Sequence, residues 1–130
     1  RALCDPVIER ADVILPSLGE AAMLTGARND EEGCHTWATQ GKLVFLKQGP
    51  RGCRVFATHG DLEVPGFQVE ETDPTGAGDA FCAGVTVGLL ERMSLDEVGR
   101  FANAVGALAV TRKGPMEGTP TRAQVIEFMR

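Results

Sequence analysis

Short apolar runs alternate with amphipathic stretches along the first half of the chain, and this alternation predicts strands and helices in turn. The predicted helices cover residues 2–10, 21–25 and 31–40, and the predicted strands cover 12–15, 43–48, 53–57 and 62–69. The second helix follows Ser17-Leu18-Gly19-Glu20, which has the form of a capping box, and it stops at Gly26. Tight turns are expected at 49–52 and 58–61, and Pro65-Gly66 interrupts the last strand.

Two long helices dominate the second half of the chain, predicted over residues 79–93 and from the capping box at 94–97 to about 111. Apolar residues cover nearly the whole circumference of both, which is typical of helices buried between other elements. Glycines at 84, 88 and 106 would allow close packing there. Gly114-Pro115 breaks the chain, and a capping sequence at 121–124 predicts a terminal helix.

Strands that alternate with helices favour an α/β fold with a largely parallel central sheet, to which the middle of the chain adds an antiparallel hairpin. The composition agrees, since 43% hydrophobic and 24% charged residues among 130 are ordinary for one soluble globular domain. The net charge of −5, without a basic tail, argues against binding to nucleic acid or to anionic lipid. The apolar runs are too short to span a bilayer.

No targeting segment is visible, so the sequence predicts a cytoplasmic protein, and a first residue of Arg1 suggests a piece of something longer. The four cysteines, Cys4, Cys34, Cys53 and Cys82, are widely spaced and form no C-x-x-C pair. Zinc ligands are usually closer together and paired, and disulfides are rare in the cytoplasm. Free, largely buried thiols are therefore expected.

The segment 73–81, DPTGAGDAF, has the clearest chemical character in the chain. Gly76 and Gly78 permit unusual backbone conformations and a close ligand, and the loop enters a helix whose first amides lack internal partners. Such an arrangement fits a phosphate group. Asp79 would suit this place if it faced a hydroxyl that attacks the phosphate. A Walker A motif and a dinucleotide fingerprint are absent, and the pattern alone is equally compatible with a structural turn.

The same segment closely resembles the C-terminal signature of the ribokinase-like (PfkB) carbohydrate kinases, D-[TP]-T-G-A-G-D-x-F. Other segments resemble the family in the same order: residues 12–26, DVILPSLGEAAMLTG; 47–52, KQGPRG; 101–104, FANA; and 111–114, TRKG. The resemblance implies a ribokinase-like three-layer α/β/α fold. Because family members are much longer, it also implies that residues 1–130 are the C-terminal nucleotide-binding portion of a kinase domain, without the N-terminal sugar-binding and lid portion.

The resemblance further implies individual roles. Asp79 would accept the proton of a sugar hydroxyl, and the amides of Gly76, Ala77 and Gly78 would form an anion hole for the transferred phosphoryl group. The residues implied at the nucleotide are Ser17, Lys47, Gly49, Gly52 and Asn103, the last against adenine.

Two metal ions are implied as well. Glu20 would hold Mg²⁺ through water, in keeping with the preference of this ion for oxygen ligands. The group implied for K⁺ comprises Asp73, Thr75 and backbone carbonyls near Val110, Lys113 and Gly114. A serine that the family often has would align with Gly118, so one ligand of the implied K⁺ group is missing.

Structural alternatives exist for the binding residues. Ser17 and Glu20 could cap a helix, Gly49 and Gly52 could form a plain hairpin turn, and Asn103 could bond a neighbouring backbone group. Each of these is kept open.

The predicted function is ATP-dependent phosphorylation of a sugar or sugar acid, with ATP and Mg²⁺ and a small-molecule substrate, and with a homodimer left open. One alternative is a nucleotide-binding module without turnover. Another is a Rossmann-type oxidoreductase, against which the broken glycine fingerprint argues.

Overall fold

The computed structural model describes residues 3–130, which form helices and strands close to the predicted ones. In chain order these are α1 (Asp5–Arg10), β1 (Val13–Ile14), α2 (Glu20–Thr25), α3 (Asp30–Thr39), β2 (Leu43–Lys47), β3 (Gly52–Ala57), β4 (Gly60–Pro65), α4 (Ala77–Leu90), α5 (Leu95–Ala109) and α6 (Arg122–Phe128). The first predicted helix is shorter than expected, and its predicted residue Ala2 lies outside the described residues. The chain divides into two compact units, residues 3–48 with 54–63 and residues 49–53 with 64–130.

The four strands form one sheet in the order β1-β2-β3-β4. Strands β1 and β2 are parallel, with Val13 opposite Leu43 and Ile14 opposite Val44. Two residues join β3 to β4 and four join β2 to β3, and connections this short join only antiparallel neighbours. The predicted α/β class and the added hairpin are confirmed. Within this chain the sheet is mixed rather than largely parallel, since a single crossover, through α2 and α3, links a parallel pair.

The first unit has an apolar core beneath α2, α3 and β2. Its buried members are Ala21, Cys34, Trp37, Ala38, Val44, Leu46 and Phe56. Gly33 lies where α3 passes α2, and a Cβ on it would be 2.7 Å from the carbonyl oxygen of Ala21. The two short helices pack at backbone distance for this reason, which fixes the start of α2 against α3.

The second unit is built on the packing of α4 against α5. A Cβ on Gly84 would be 2.8 Å from the Cα of Ala102, so the predicted close approach at this position is confirmed. Gly106 has only ordinary contacts. The prediction that both helices are buried all round is wrong for α4: one face of it, Ala83, Thr86, Val87 and Leu90, is exposed. Helix α5 covers only the opposite side of α4, and no element among residues 3–130 covers the exposed face.

The capping boxes predicted for α5 and α6 both form. Ser94 and Glu97 exchange side-chain and backbone hydrogen bonds at the start of α5, and Thr121 and Gln124 do so at the start of α6. Such boxes satisfy amides that would otherwise lack partners. The boundary between α4 and α5, and therefore the length of α4, follows from local sequence.

The cysteines are free thiols, as predicted, and Cys34 and Cys53 are buried, whereas Cys4 is exposed, contrary to the prediction. Burial raises the pKa of the Cys34 and Cys53 thiols to about 12, so both stay protonated and unreactive near neutral pH. Among residues 3–130, no three His, Cys, Asp or Glu side chains are grouped as metal ligands. In the same residues, no helix combines the length and apolarity needed to cross a bilayer.

Candidate functional site

The anion loop, residues 73–79, makes a tight turn in the second unit and then becomes α4. The amide of Ala77 donates to the carbonyl of Pro74 at 3.2 Å, which closes the turn. Gly76 is the N-cap of α4 and has φ +83°, in the left-handed region. A Cβ at this position would overlap the carbonyl oxygen of Pro115. Glycine is therefore required at residue 76 by both backbone conformation and space.

The start of α4 presents free hydrogen-bond donors. No acceptor among residues 3–130 bonds the backbone N–H of Gly76, Gly78 or Asp79. The amide of Ala77 differs from these because it is used inside the turn, and its predicted place in the anion hole stays a prediction. Unpaired amides at the positive end of a 14-residue helix are well suited to bind an anion.

The two aspartates of the anion loop have different surroundings. The Asp73 carboxylate accepts from the amide of Thr75 at 3.0 Å through one oxygen and from the amide of Gly114 at 2.9 Å through the other. Hydrogen bonds from the Thr75 side chain and amide, and then from Gly114, lower the pKa of Asp73 to about 2. Asp79 is exposed in the first turn of α4, and its carboxylate bonds no other described residue. Asp73 thus joins two loops, while Asp79 is free to act on a ligand.

The lowered pKa of Asp73 predicts a pH dependence of stability. Since the folded-state pKa of about 2 lies below the ordinary 3.8, the stabilisation by its carboxylate is full above pH 3.8 and disappears as pH falls through 2. We expect Asp73→Asn to lower the free energy of unfolding at pH 7, with a difference from wild type that shrinks below pH 3.8 and closes only below pH 2. Urea denaturation over this range measures it, with Asp12→Asn as a control. A difference independent of pH would contradict the assignment.

The loop 110–118 lies against the anion loop. The carbonyl of Val110 accepts from the amides of Thr72 at 2.8 Å and Asp73 at 3.1 Å, so both of its lone pairs are used. The carbonyl of Val110 is therefore already occupied by two donors, and its predicted role as a K⁺ ligand stays a prediction. The carbonyls of Lys113 and Gly114 accept no hydrogen bond from residues 3–130. A Cβ on Gly118 would overlap the carbonyl of Ala109, so this backbone has no room for the serine that the resemblance aligns there.

The carboxyl-edge cluster, Ser17, Glu20 and Lys47, lies in the first unit where the parallel strands end. Lys47 is the last residue of β2, its amide donates to Pro16 at 2.8 Å, and a parallel bridge pairs it with Ser17. The Glu20 carboxylate accepts from the amide of Ser17 at 2.6 Å. No carboxylate among the described residues pairs with the Lys47 ammonium group. Ligands of α/β proteins bind at this edge, so the cluster is suitably placed for one.

Ser17 is not the N-cap of α2, which corrects one of the two interpretations kept open. The helix begins at Glu20, so the N-cap is Gly19 at φ +87°, and no side chain of its own segment caps it. Of the two hydrogen bonds in the predicted capping box, only one forms, from the amide of Ser17 to the carboxylate of Glu20. Asp30 supplies the missing acceptor from the start of α3, which the sequence analysis missed because no local spacing links residue 30 to α2.

Gly49, Gly52 and Asn103 belong to the second unit. Gly52 has φ +105°, and a Cβ on it would overlap the carbonyl of Val64, whereas Gly49 at φ +59° has open space around it. The buried Asn103 donates through Nδ2 to the carbonyls of Val64 at 3.0 Å and Pro65 at 3.1 Å. The structure therefore shows the backbone partner that the sequence left open for Asn103. Gly52 and Asn103 both hold the end of β4.

Asn103→Ala tests this structural role. Removal of the amide leaves two carbonyls without their donor, and we expect a loss of about 1–3 kcal/mol in the free energy of unfolding. Urea denaturation measures this loss, and Asn29→Ala, which removes the exposed N-cap of α3, is the control. An unchanged free energy of unfolding would contradict the structural role of Asn103.

Comparisons with known proteins identify relatives of this site. The model of the pfkB family of carbohydrate kinases matches residues 1–122. The ribokinase of Haemophilus influenzae is 34% identical over 98% of this chain, and fructokinase-1 of Oryza sativa subsp. japonica is 32% identical over 93%. The chain spans 44% and 40% of their lengths.

Solved structures agree with this relationship. An E. coli protein named ribokinase II, in complex with ATP and Mg²⁺, matches 99% of the chain with a TM-score of 0.94 and 34% identity. Fructokinase from Vibrio cholerae O395, with fructose, ADP and calcium, matches 99% with a TM-score of 0.90 and 32% identity. The chain spans 42% and 44% of these two proteins. Its ribokinase-like fold and its sequence show that the chain belongs to the pfkB family of carbohydrate kinases.

Proposed function

We propose that the protein transfers the γ-phosphoryl group of ATP to a hydroxyl of a sugar or sugar acid, with this chain as its nucleotide-binding portion. The observation that carries the proposal is the contrast between Asp73, used by two backbone donors, and Asp79, which is free beside unpaired amides. The relatives of this chain named ribokinase and fructokinase support the substrate class. Because those relatives are more than twice as long, the rest of the domain would choose the sugar.

In the proposed reaction, Asp79 accepts the proton of the attacking hydroxyl. The hydroxyl oxygen bonds to the γ-phosphorus while the bond to the ADP oxygen breaks. Charge on the transferred group is stabilised by the amides of Gly76, Gly78 and Asp79, which need no reorientation because the turn already holds them. A carboxylate at this place can accept that proton.

Residues of the carboxyl-edge cluster suit the nucleotide and its metal ion. Glu20 is exposed, and only one of its oxygens is used by a described donor, so a hydrated Mg²⁺ fits its chemistry. The ion would neutralise phosphate charge when bound. The Lys47 ammonium group and Ser17 would face phosphates, and Gly49 and Gly52 would let the backbone approach the nucleotide. Asn103 would act indirectly by holding the end of β4.

The residues proposed for K⁺ are fewer than the sequence predicts. Asp73 retains unused lone pairs, and the carbonyls of Lys113 and Gly114 are free of described donors. Thr75 completes the proposed group. Val110 is left out because both of its lone pairs are occupied.

The proposed activity is tested with the intact protein, ATP, Mg²⁺ and a panel of sugars and sugar acids that includes ribose and fructose. With at least one substrate, we expect ADP release to be faster than in a reaction without any sugar. The amount of sugar phosphate formed should equal the amount of ADP released. ATP binding with no substrate-dependent ADP release would favour a nucleotide-binding module. Tight NADH binding without ATP binding would favour an oxidoreductase.

A further inference from the structure

The start of α2 depends on another helix for its cap. Helix α2 has six residues, too few to be stable alone, and its N-cap Gly19 offers no side chain. The first amides of such a helix need acceptors from elsewhere. Glu20, the first residue of α2, carries the carboxylate assigned above to Mg²⁺, so the position of that carboxylate depends on how this helix start is held.

Asp30 provides these acceptors with both carboxylate oxygens. Its Oδ2 accepts from the amide of Gly19 at 2.6 Å, and its Oδ1 accepts from the amide of Ala22 at 3.0 Å. These two amides lie on either side of Glu20 in the chain. Asn29 caps α3 by accepting from the amide of Glu32 at 2.9 Å, which leaves the Asp30 side chain available for α2.

Two other contacts make the arrangement rigid. Gly33 lets α3 approach the backbone of α2 at Ala21, which is fully buried. The Glu20 carboxylate is tied by one oxygen to the amide of Ser17. The backbone of Glu20 is thus held from α3, and its side chain is held by Ser17, in the segment that follows β1, with one oxygen left for a ligand.

We propose that Asp30 is a positioning residue that sets the geometry of Glu20 toward a divalent cation. The inference rests on the proposed function, through the role given to Glu20. Without the Asp30 carboxylate, the amides of Gly19 and Ala22 lose their acceptors, the helix start frays, and the Glu20 carboxylate spreads over several positions. Loss of a group that hydrogen-bonds a metal ligand typically weakens metal binding about 10–100-fold. Because Asp30 acts on Glu20 through the backbone, and Glu20 would act on the ion through water, we expect the lower end of that range.

Binding of Mn²⁺ to the intact protein with saturating ADP tests the proposal without turnover. Free Mn²⁺ is measured by electron paramagnetic resonance for wild type, Asp30→Asn, Glu20→Gln and the double variant. Asparagine has nearly the same size as aspartate. Its NH₂ group is a donor, however, and would face one of the two backbone N–H groups, which is also a donor. Glu32→Gln is the matched control, because Glu32 also lies on α3 and accepts a backbone amide, that of Arg28, away from α2.

We expect Asp30→Asn to raise the Kd for Mn²⁺ about 10-fold and to speed amide exchange at Gly19 and Ala22. Glu32→Gln should change neither quantity, and Asp30→Asn should add nothing in the Glu20→Gln background. Faster amide exchange with an unchanged Kd for Mn²⁺ would overturn the proposal. It would also be overturned if Asp30→Asn weakened Mn²⁺ binding as much in the Glu20→Gln background as in wild type. Mn²⁺ binding that behaves as expected in a protein without kinase activity would support Asp30 while contradicting the proposed function.

Discussion

Asp79→Asn is expected to lower kcat for sugar phosphorylation about 10²–10⁴-fold, the usual contribution of a general base. This corresponds to about 3–5 kcal/mol in the activation barrier. An amide cannot accept the hydroxyl proton, although it has nearly the same size. The Asp79 side chain bonds no described residue, so the substitution should hardly change the free energy of unfolding. Initial rates at saturating ATP and sugar measure the effect in the intact protein.

Asp96→Asn is the matched control for this experiment. Asp96 is also an exposed carboxylate in the first turn of a long helix, α5, and it lies outside the anion loop. Its substitution reproduces the loss of one negative charge at a helix start, and we expect kcat to change less than twofold. Near-wild-type turnover of Asp79→Asn would remove Asp79 from the proposed chemistry, whereas equal losses in both variants would indicate a general effect of charge.

Gly76→Ala is expected to lower the free energy of unfolding by about 2–5 kcal/mol. Left-handed backbone at φ +83° costs alanine about 1–2 kcal/mol, and overpacking against the Pro115 carbonyl adds about 1–3 kcal/mol. That carbonyl is backbone, so the neighbouring atom has little freedom to move away. Because the same shift displaces the free amides of the anion loop, kcat should fall as well. Urea denaturation and initial rates measure the two losses.

Gly41→Ala separates conformational strain from crowding. Gly41 has nearly the same φ, +86°, but an added Cβ has no atom within 4 Å. The control should therefore lose only the strain contribution of about 1–2 kcal/mol. Equal losses in the two variants would show that the contact with Pro115 does not restrict residue 76.

The sequence predicts most helices and strands correctly, and the reason is local. The caps of α5 and α6 use partners three residues apart, so their spacing shows them directly. The segment DPTGAGDAF predicts both the glycine turn and the helix start that follows it. The N-cap interpretation of Ser17 is wrong because the capping pattern fits residues 17–20, while the helix begins two residues later than such a cap requires.

The surroundings of the site residues were much less predictable. Asp73 and Asp79 have the same side chain within one motif, and their difference comes from hydrogen bonds of Asp73 with Thr75, two residues away, and with the amide of Gly114, forty-one residues away in sequence. The partners of Asn103 are likewise distant, at Val64 and Pro65. Exposure of one α4 face depends on which elements pack against it, and the apolar pattern does not contain that information.

By itself, the sequence determined the family, the order of helices and strands, and the residues of the anion loop, because these depend on short-range patterns and on backbone freedom at glycine. The tertiary structure alone decided which polar groups are used and which are free. Asp73, Val110 and Asn103 are bonded to distant backbone, Asp30 caps a helix that it does not belong to, and Asp79 has no described partner. The physical reason is that a hydrogen bond needs two groups within about 3 Å, and only the folded chain brings such distant groups together.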